Sequence, residues 1–314
     1  MKALLRPILI LLFIAQPGIT AQSAPEHLPS PSPVTIYLAA TSPKGQLLAL
    51  SASDLSIQEN KQPARIDRVE CGKPEPLLLA VLLDTSGSRI DDPHLNTHYD
   101  TLKKFLASTL ANGDAAYLVS FTDQAHQLTP PTSDLTVLNT ALDQLKAVAP
   151  KGKTAVYDTL KMASNQNLSV DHVRRVILMI GDFGDNSSKI GVYKASAAPL
   201  ESRSTLFVIL DQNDRHPRQN TRTIEEGSPD DSFRVARETG GQTFAIESPA
   251  QFLAALDGIH NVLNHSCRVD YTPPSPVDSK DLIRLSAKLV HGPATLFAPQ
   301  ARPARGVPQP SAHN

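Results

Sequence analysis

The sequence predicts an α/β fold, a doubly wound and mainly parallel sheet flanked by helices, with a small β side domain built from N- and C-terminal segments. Two apolar runs, Leu77–Leu83 and Val176–Ile180, carry the first part of that prediction, and each ends near a carboxylate, Asp84 and Asp182. Runs of this kind need cover on both faces, and amphipathic helical patterns alternate with them. The second part rests on "VTIYLAA" and "LIRLSAKLV", which alternate apolar and polar residues with the period of half-buried strands.

Taken in order, Lys2 and Arg6 precede an apolar stretch, Ile8–Ala15, and small residues follow near Ala21. This reads as a secretory signal over residues 1–21, too short to span a bilayer. A Pro- and Ser-rich linker, 22–33, leads into the β segment 34–72, with strands at Val34–Ala40, Leu55–Gln58 and Ala64–Val69. The α/β domain is expected over 73–267. Its first strand is followed by a helix with Leu95, Tyr99, Leu102, Leu106 and Leu110 on one face, then by the strands "AAYLVSF" and "QAHQL". Helices at Leu135–Ala147 and Ala155–Ala163, the strand Val173–Ile180, a helix near Ile190–Leu200 and the strand "STLFVILD" come next. A long polar stretch, 212–232, reads as a surface insertion. Beyond it lie a short helix, the strand "QTFAI" and a last helix marked by a Ser248/Gln251 capping box with Pro249 at its first position. Residues 268–300 return to β patterning, and 301–314 read as a disordered tail.

With 314 residues, 40% hydrophobic and 19% charged, the chain can bury a full core. A formal net charge of -1 predicts no attraction to nucleic acid or to an acidic membrane surface. Export would allow Cys71 and Cys267, which bracket the α/β domain, to form a disulfide; the alternative is two unpaired buried thiols.

The chemistry concentrates where the apolar strands end. In Asp84-Thr85-Ser86-Gly87-Ser88, a carboxylate at a strand tip precedes hydroxyls two and four positions on, across a turn-permitting glycine. Several oxygens can converge there, a donor set suited to a hard divalent cation, Mg²⁺ or else Mn²⁺ or Ca²⁺. Thr154 adds a hydroxyl from a loop, and Asp182 a second carboxylate at a strand end. Asp and Ser after a strand often only cap a helix, so the five-residue motif means most in company with Thr154 and Asp182.

That set resembles the metal-ion-dependent adhesion site (MIDAS) of von Willebrand factor type A domains. Together with "ASDLSIQENKQPARIDRVE", "ARETGGQTFAI" and "CRVDYTPP", it makes the chain similar to secreted bacterial proteins with von Willebrand factor A-related domains. The resemblance spans roughly residues 34–300. It implies that Ser86, Ser88 and Thr154 bind the cation directly, that Asp84 and Asp182 act mainly through water, and that an acidic side chain of a protein partner completes the coordination. Three positions depart from the family pattern: Arg89 follows the motif where an apolar residue is common, Lys153 stands where a glycine is usual, and Phe183 follows Asp182 where glycine is common. Arg89 is expected at the rim, paired with Asp91 or Asp92 or open to an acidic ligand.

Rival motifs fail on context. Asp182-Phe183-Gly184 spells the kinase metal signature, but no glycine-rich loop or catalytic loop accompanies it. Gly152-Lys153-Thr154 lacks the first P-loop glycine and a preceding strand, and Ser86 lacks the Gly-x-Ser-x-Gly elbow of hydrolases. His94 and His98, one helical turn apart, have no nearby third ligand in sequence and read as a solvated helix start. The expectation is therefore an exported, non-enzymatic protein-binding domain of the secreted, periplasmic or cell-surface space, with a scaffold bearing a purely structural cation as the alternative.

Overall fold

A computed structural model describes residues 33–72, 75–170, 173–212, 229–275 and 282–304. The expected signal segment, nearly all of the linker, most of the 212–232 stretch and residues 305–314 lie outside them. The described chain opens with β1 (Val34–Thr41), β2 (Leu55–Glu59) and β3 (Gln62–Cys71). The α/β part follows as β4 (Leu77–Asp84), α1 (Leu95–Thr109), β5 (Ala115–Phe121), β6 (Ala125–Gln127), α2 (Leu135–Lys146) and α3 (Val156–Leu168). It continues as β7 (Arg174–Gly181), α4 (Val192–Glu201), β8 (Ser204–Asp211), α5 (Pro229–Glu238), β9 (Thr243–Ile246) and α6 (Pro249–His265). Four strands close it: β10 (Cys267–Thr272), β11 (Leu282–Leu289), β12 (Thr295–Phe297) and β13 (Ala301–Pro303).

The α/β sheet has the order β6-β5-β4-β7-β8-β9, with β6 antiparallel to its neighbour and the rest parallel. Every residue of β4, β7 and β8 is buried, as their unbroken apolar runs require. Alternate residues feed opposite layers. Leu77, Leu79, Val81 and Leu83 join a core with α1, α2 and α6, whereas Leu78, Ala80 and Leu82 join one with α3, α4 and α5. From β4 the chain winds outward to β5 and β6, then returns to β7 on the other side. The winding thus reverses between β4 and β7, where open α/β sheets form a crevice beyond the strands' carboxyl ends. Their register, Leu83 opposite Ile180, brings Asp84 and Asp182 to that crevice.

Helix α6 follows its sequence signals closely. Ser248 Oγ accepts the Gln251 N–H, and Pro249 opens the helix. Gln251 Oε1 accepts the N–H of Glu247 rather than that of Ser248, so the reciprocal half of the box lands one residue early. Phe252, Leu256, Ile259 and Leu263 are buried, at roughly 1.5–3 kcal/mol each. Helix α3 runs to Leu168, beyond the expected Ala163.

The side domain is one antiparallel sheet, ordered β12-β1-β10-β3-β2-β11-β13. Val34, Ile36 and Leu38 of β1 share a core with Leu285 of β11, although three strands separate them in the sheet. The sheet is therefore curled on itself. Cys71 and Cys267 face each other across β3 and β10 and are disulfide-bonded, closing a separation of 196 residues. By loop entropy such a bridge stabilises the fold by about 4–5 kcal/mol. Ala301–Pro303, in the stretch expected to be a disordered tail, instead pair with β11. The cause is Arg302, whose guanidinium is buried against Glu59, with Nη2 2.8 Å from Oε2. A charge pair with no periodic signature fixes this strand.

Candidate functional site

Asp84 ends β4 and is buried, because the next residues turn back over the sheet. Its Oδ1 accepts the Ser86 N–H at 2.8 Å, which sets the turn, while Oδ2 is buried without a hydrogen-bond partner. Ser86 is also buried, and its Oγ lies 3.1 Å from Ser88 Oγ. The Thr154 loop is stitched onto this turn: the Gly87 N–H reaches Gly152 O at 3.0 Å and the Lys151 N–H reaches Thr85 O at 3.1 Å. A Cβ on Gly87 would stand 3.1 Å from Gly152 O, so the motif glycine serves this close approach.

Thr154 is buried and clasped by the loop after β7. Its N–H donates to Asn186 Oδ1 at 2.8 Å, and its carbonyl accepts the N–H groups of Asn186 and Ser187. In that loop Asp182 Oδ1 accepts the Gly184 N–H at 2.8 Å, and Asp185 Oδ2 accepts the N–H of Tyr157 in the first turn of α3. Phe183 takes φ +56, the left-handed region that favours glycine. Its ring is buried edge-on to Tyr157, and that burial offsets the backbone cost of departing from glycine. Lys153 is exposed beside Thr154.

Electrostatically the site is short of positive charge. Burial, and next the neighbouring charge of Asp182, push the Asp84 carboxyl well above the usual carboxylate range, against the hydrogen bonds from Ser86. Two carboxylates, an unpartnered buried carboxylate oxygen and clustered hydroxyls make an oxygen-only donor set that fits a hard divalent cation. Asp84, Ser86, Ser88, Thr154 and Asp182 all come to the same end of the sheet. Hydrogen bonding links Asp84 to Ser86 and Ser88, backbone bonds bring Thr154 to them, and charge couples Asp182 to Asp84.

Two readings of neighbouring residues are corrected. Arg89 is not at the rim: it is buried, with Nη2 2.5 Å from Asp92 Oδ2 and Nη1 2.9 Å from Asp211 Oδ2. Pairing with Asp92 holds, but Arg89 is spent inside the protein because Asp211, at the end of β8, also claims it. His98 is not solvated either; it is buried, stacked on Phe252 with ring centroids 4.2 Å apart. Asp92, His98 and Asp211 offer potential metal-ligand atoms within 4.8 Å of one another. The guanidinium of Arg89 already supplies the positive charge there, so this cluster is read as an ion-pair network. Sequence reasoning missed Asp211, Gly181 and Asn186. Asp211 alone left a signal, an apolar run ending on a carboxylate as in β4.

The family model for the von Willebrand factor type A domain matches residues 79–185. Among solved structures, the chain is similar to a von Willebrand factor type A protein from Catenulispora acidiphila, with TM-score 0.50 and 13% identity over 86% of this chain and 73% of that one. BatB from Bacteroides thetaiotaomicron aligns at 17% identity and TM-score 0.46, over 59% of this chain and 98% of that one. Proximal thread matrix protein 1 of the mussel byssus, with a zinc-occupied MIDAS motif, aligns at 17% identity and TM-score 0.49, over 63% of this chain and 49% of that one. At 13% identity the Catenulispora acidiphila structure speaks to the fold alone. No curated protein matches the chain by sequence.

Proposed function

From the von Willebrand factor type A domain that this chain carries, we propose an exported, non-enzymatic binding protein that recognises an acidic side chain of a protein partner through a divalent cation, Mg²⁺ or Mn²⁺. Ser86, Ser88 and Thr154 would hold the cation with their hydroxyls, and Asp84 and Asp182 would orient those hydroxyls and supply negative charge. When bound, the cation supplies Lewis acidity toward an incoming carboxylate. The observation that carries the reading is the buried Asp84 Oδ2, without a hydrogen-bond partner beside Asp182 at the reversal of the sheet.

The disulfide accords with export, since such bridges persist in oxidising compartments. No helix among the described residues is long and apolar enough to cross a membrane. The test is calorimetric titration of Mg²⁺ and Mn²⁺ into chelator-stripped mature protein, beside the double variant Ser86→Ala/Ser88→Ala. Saturable heat in the wild type alone is expected, with cation-dependent capture of an acidic peptide library lost in the variant. Cation binding that alters only the melting temperature, with no cation-dependent capture, would instead assign a structural cation in a scaffold. No heat at millimolar cation would overturn the metal site.

A further inference from the structure

A cavity of about 300 Å³ lies between the side sheet and the opposite end of the α/β sheet from Asp84. Arg175 and Asp182 lie at opposite ends of β7, about 23 Å apart at ~3.3 Å per residue. The cavity is lined by Arg175 and Arg203 from the α/β part, by Tyr37, Arg268 and Arg302 from the side sheet, and by Glu75. Among the described residues, four guanidinium groups thus face a space with a single lining carboxylate.

That carboxylate is already engaged. Glu75 accepts from the Tyr37 hydroxyl on one oxygen and from Arg268 Nη1 on the other. Arg302 is held by Glu59, which also accepts from the Tyr271 hydroxyl at 2.6 Å. Arg175 donates to the carbonyls of Asn167 and Val170, at 2.7 and 2.6 Å. Arg203 differs from these three. Among the described residues no carboxylate or carbonyl accepts from its guanidinium, and its Nε is buried without a hydrogen-bond partner. Its backbone sits at φ +53 after α4, a position that favours glycine, yet here it carries a long cation into the cavity wall. Burial, and then the charges of Arg302 and Arg175, lower the affinity of Arg203 for its proton. A half-buried guanidinium with no carboxylate beside it loses part of its hydration without recompense, and its planar donor fork matches an oxyanion.

We propose that this cavity is a binding site for a small organic anion bearing a carboxylate or phosphate group, with Arg203 as its principal charge partner. The site is separate from the cation site and does not depend on the proposed function. Occupancy would bridge the α/β part, through Arg203, to the side sheet, through Arg268 and Arg302.

The experiment uses the whole mature chain in low-chloride buffer, titrated calorimetrically with inorganic phosphate and separately with succinate, with sodium chloride as the ionic-strength control. Arg203→Gln and Arg203→Lys are run in parallel, and melting temperatures are recorded with and without anion. Saturable binding of one or both anions is expected, weakened about tenfold or more in Arg203→Gln and partly retained in Arg203→Lys. Whichever anion binds assigns the head group. Without anion, Arg203→Gln is expected to melt no lower than the wild type, because a half-buried charge without a carboxylate partner has gone. Binding that is equal in wild type and Arg203→Gln would overturn the proposal. So would the absence of saturable binding of either anion, or an Arg203→Gln variant that melts lower than the wild type in the absence of anion, since the arginine would then be paired within the chain.

Discussion

Gly181 leaves room for Asp84: a Cβ at Gly181 would lie 2.6 Å from the Asp84 Cβ and 2.8 Å from its Oδ2. The last residue of β7 must therefore lack a side chain for the carboxylate of β4 to sit where it does. Two neighbouring strands can present Asp84 and Asp182 together only because one of them ends on glycine.

Replacing Gly181 with Ala is accordingly expected to displace Asp84. Overpacking of this kind costs about 1–3 kcal/mol, and Mn²⁺ affinity should fall with it. Urea unfolding and calorimetric titration of the variant check both outcomes. Unchanged affinity would mean that Asp84 does not govern the cation site.

Arg89 is expected to be structural rather than a contact for partners. Arg89→Met leaves the carboxylates of Asp92 and Asp211 buried without their cation, a loss of about 3–5 kcal/mol. Adding Asp92→Asn and Asp211→Asn should recover much of that loss, since the buried charges then leave together. Denaturant melts of the single and triple variants decide it, and a single-variant loss below about 1 kcal/mol would contradict the buried network.

His98 gives a pH dependence whose sign follows from burial. Burial lowers its proton affinity below the ordinary histidine value near 6.5, and this outweighs the attraction of Asp92 and Asp211; Arg89 and His94 oppose protonation further. As pH falls below about 6.5 the unfolded chain takes up a proton that the folded chain resists, so stability is full above that pH and lost below it. His98→Gln should flatten the part of the stability profile just below about pH 6.5. Because the substitution also removes the stacking on Phe252, the slope rather than the absolute stability is the readout. Parallel profiles for wild type and variant would rule the histidine out as the source.

Periodicity determined the doubly wound sheet. The apolar runs within β4, β7 and β8 point to strands covered on both faces, and the alternation over residues 34–38 of β1 and 283–289 of β11 points to half-buried ones. The motif from Asp84 to Ser88, with Thr154 and Asp182, was also legible, because strand ends are visible in sequence and a turn brings Ser86 and Ser88 beside Asp84. Charge pairing across the fold was not legible. Arg89 meets Asp211 over 122 residues, and Arg302 meets Glu59 over 243. Neither contact has a period or a local spacing, so a rim cation became a buried one and part of an expected tail became a strand. The same holds for Arg203, whose surroundings come from segments far apart in the chain. Local pattern sets what a segment must bury. Only tertiary structure decides which distant charge meets which, because that depends on where the sheet reverses and how the side domain closes against it.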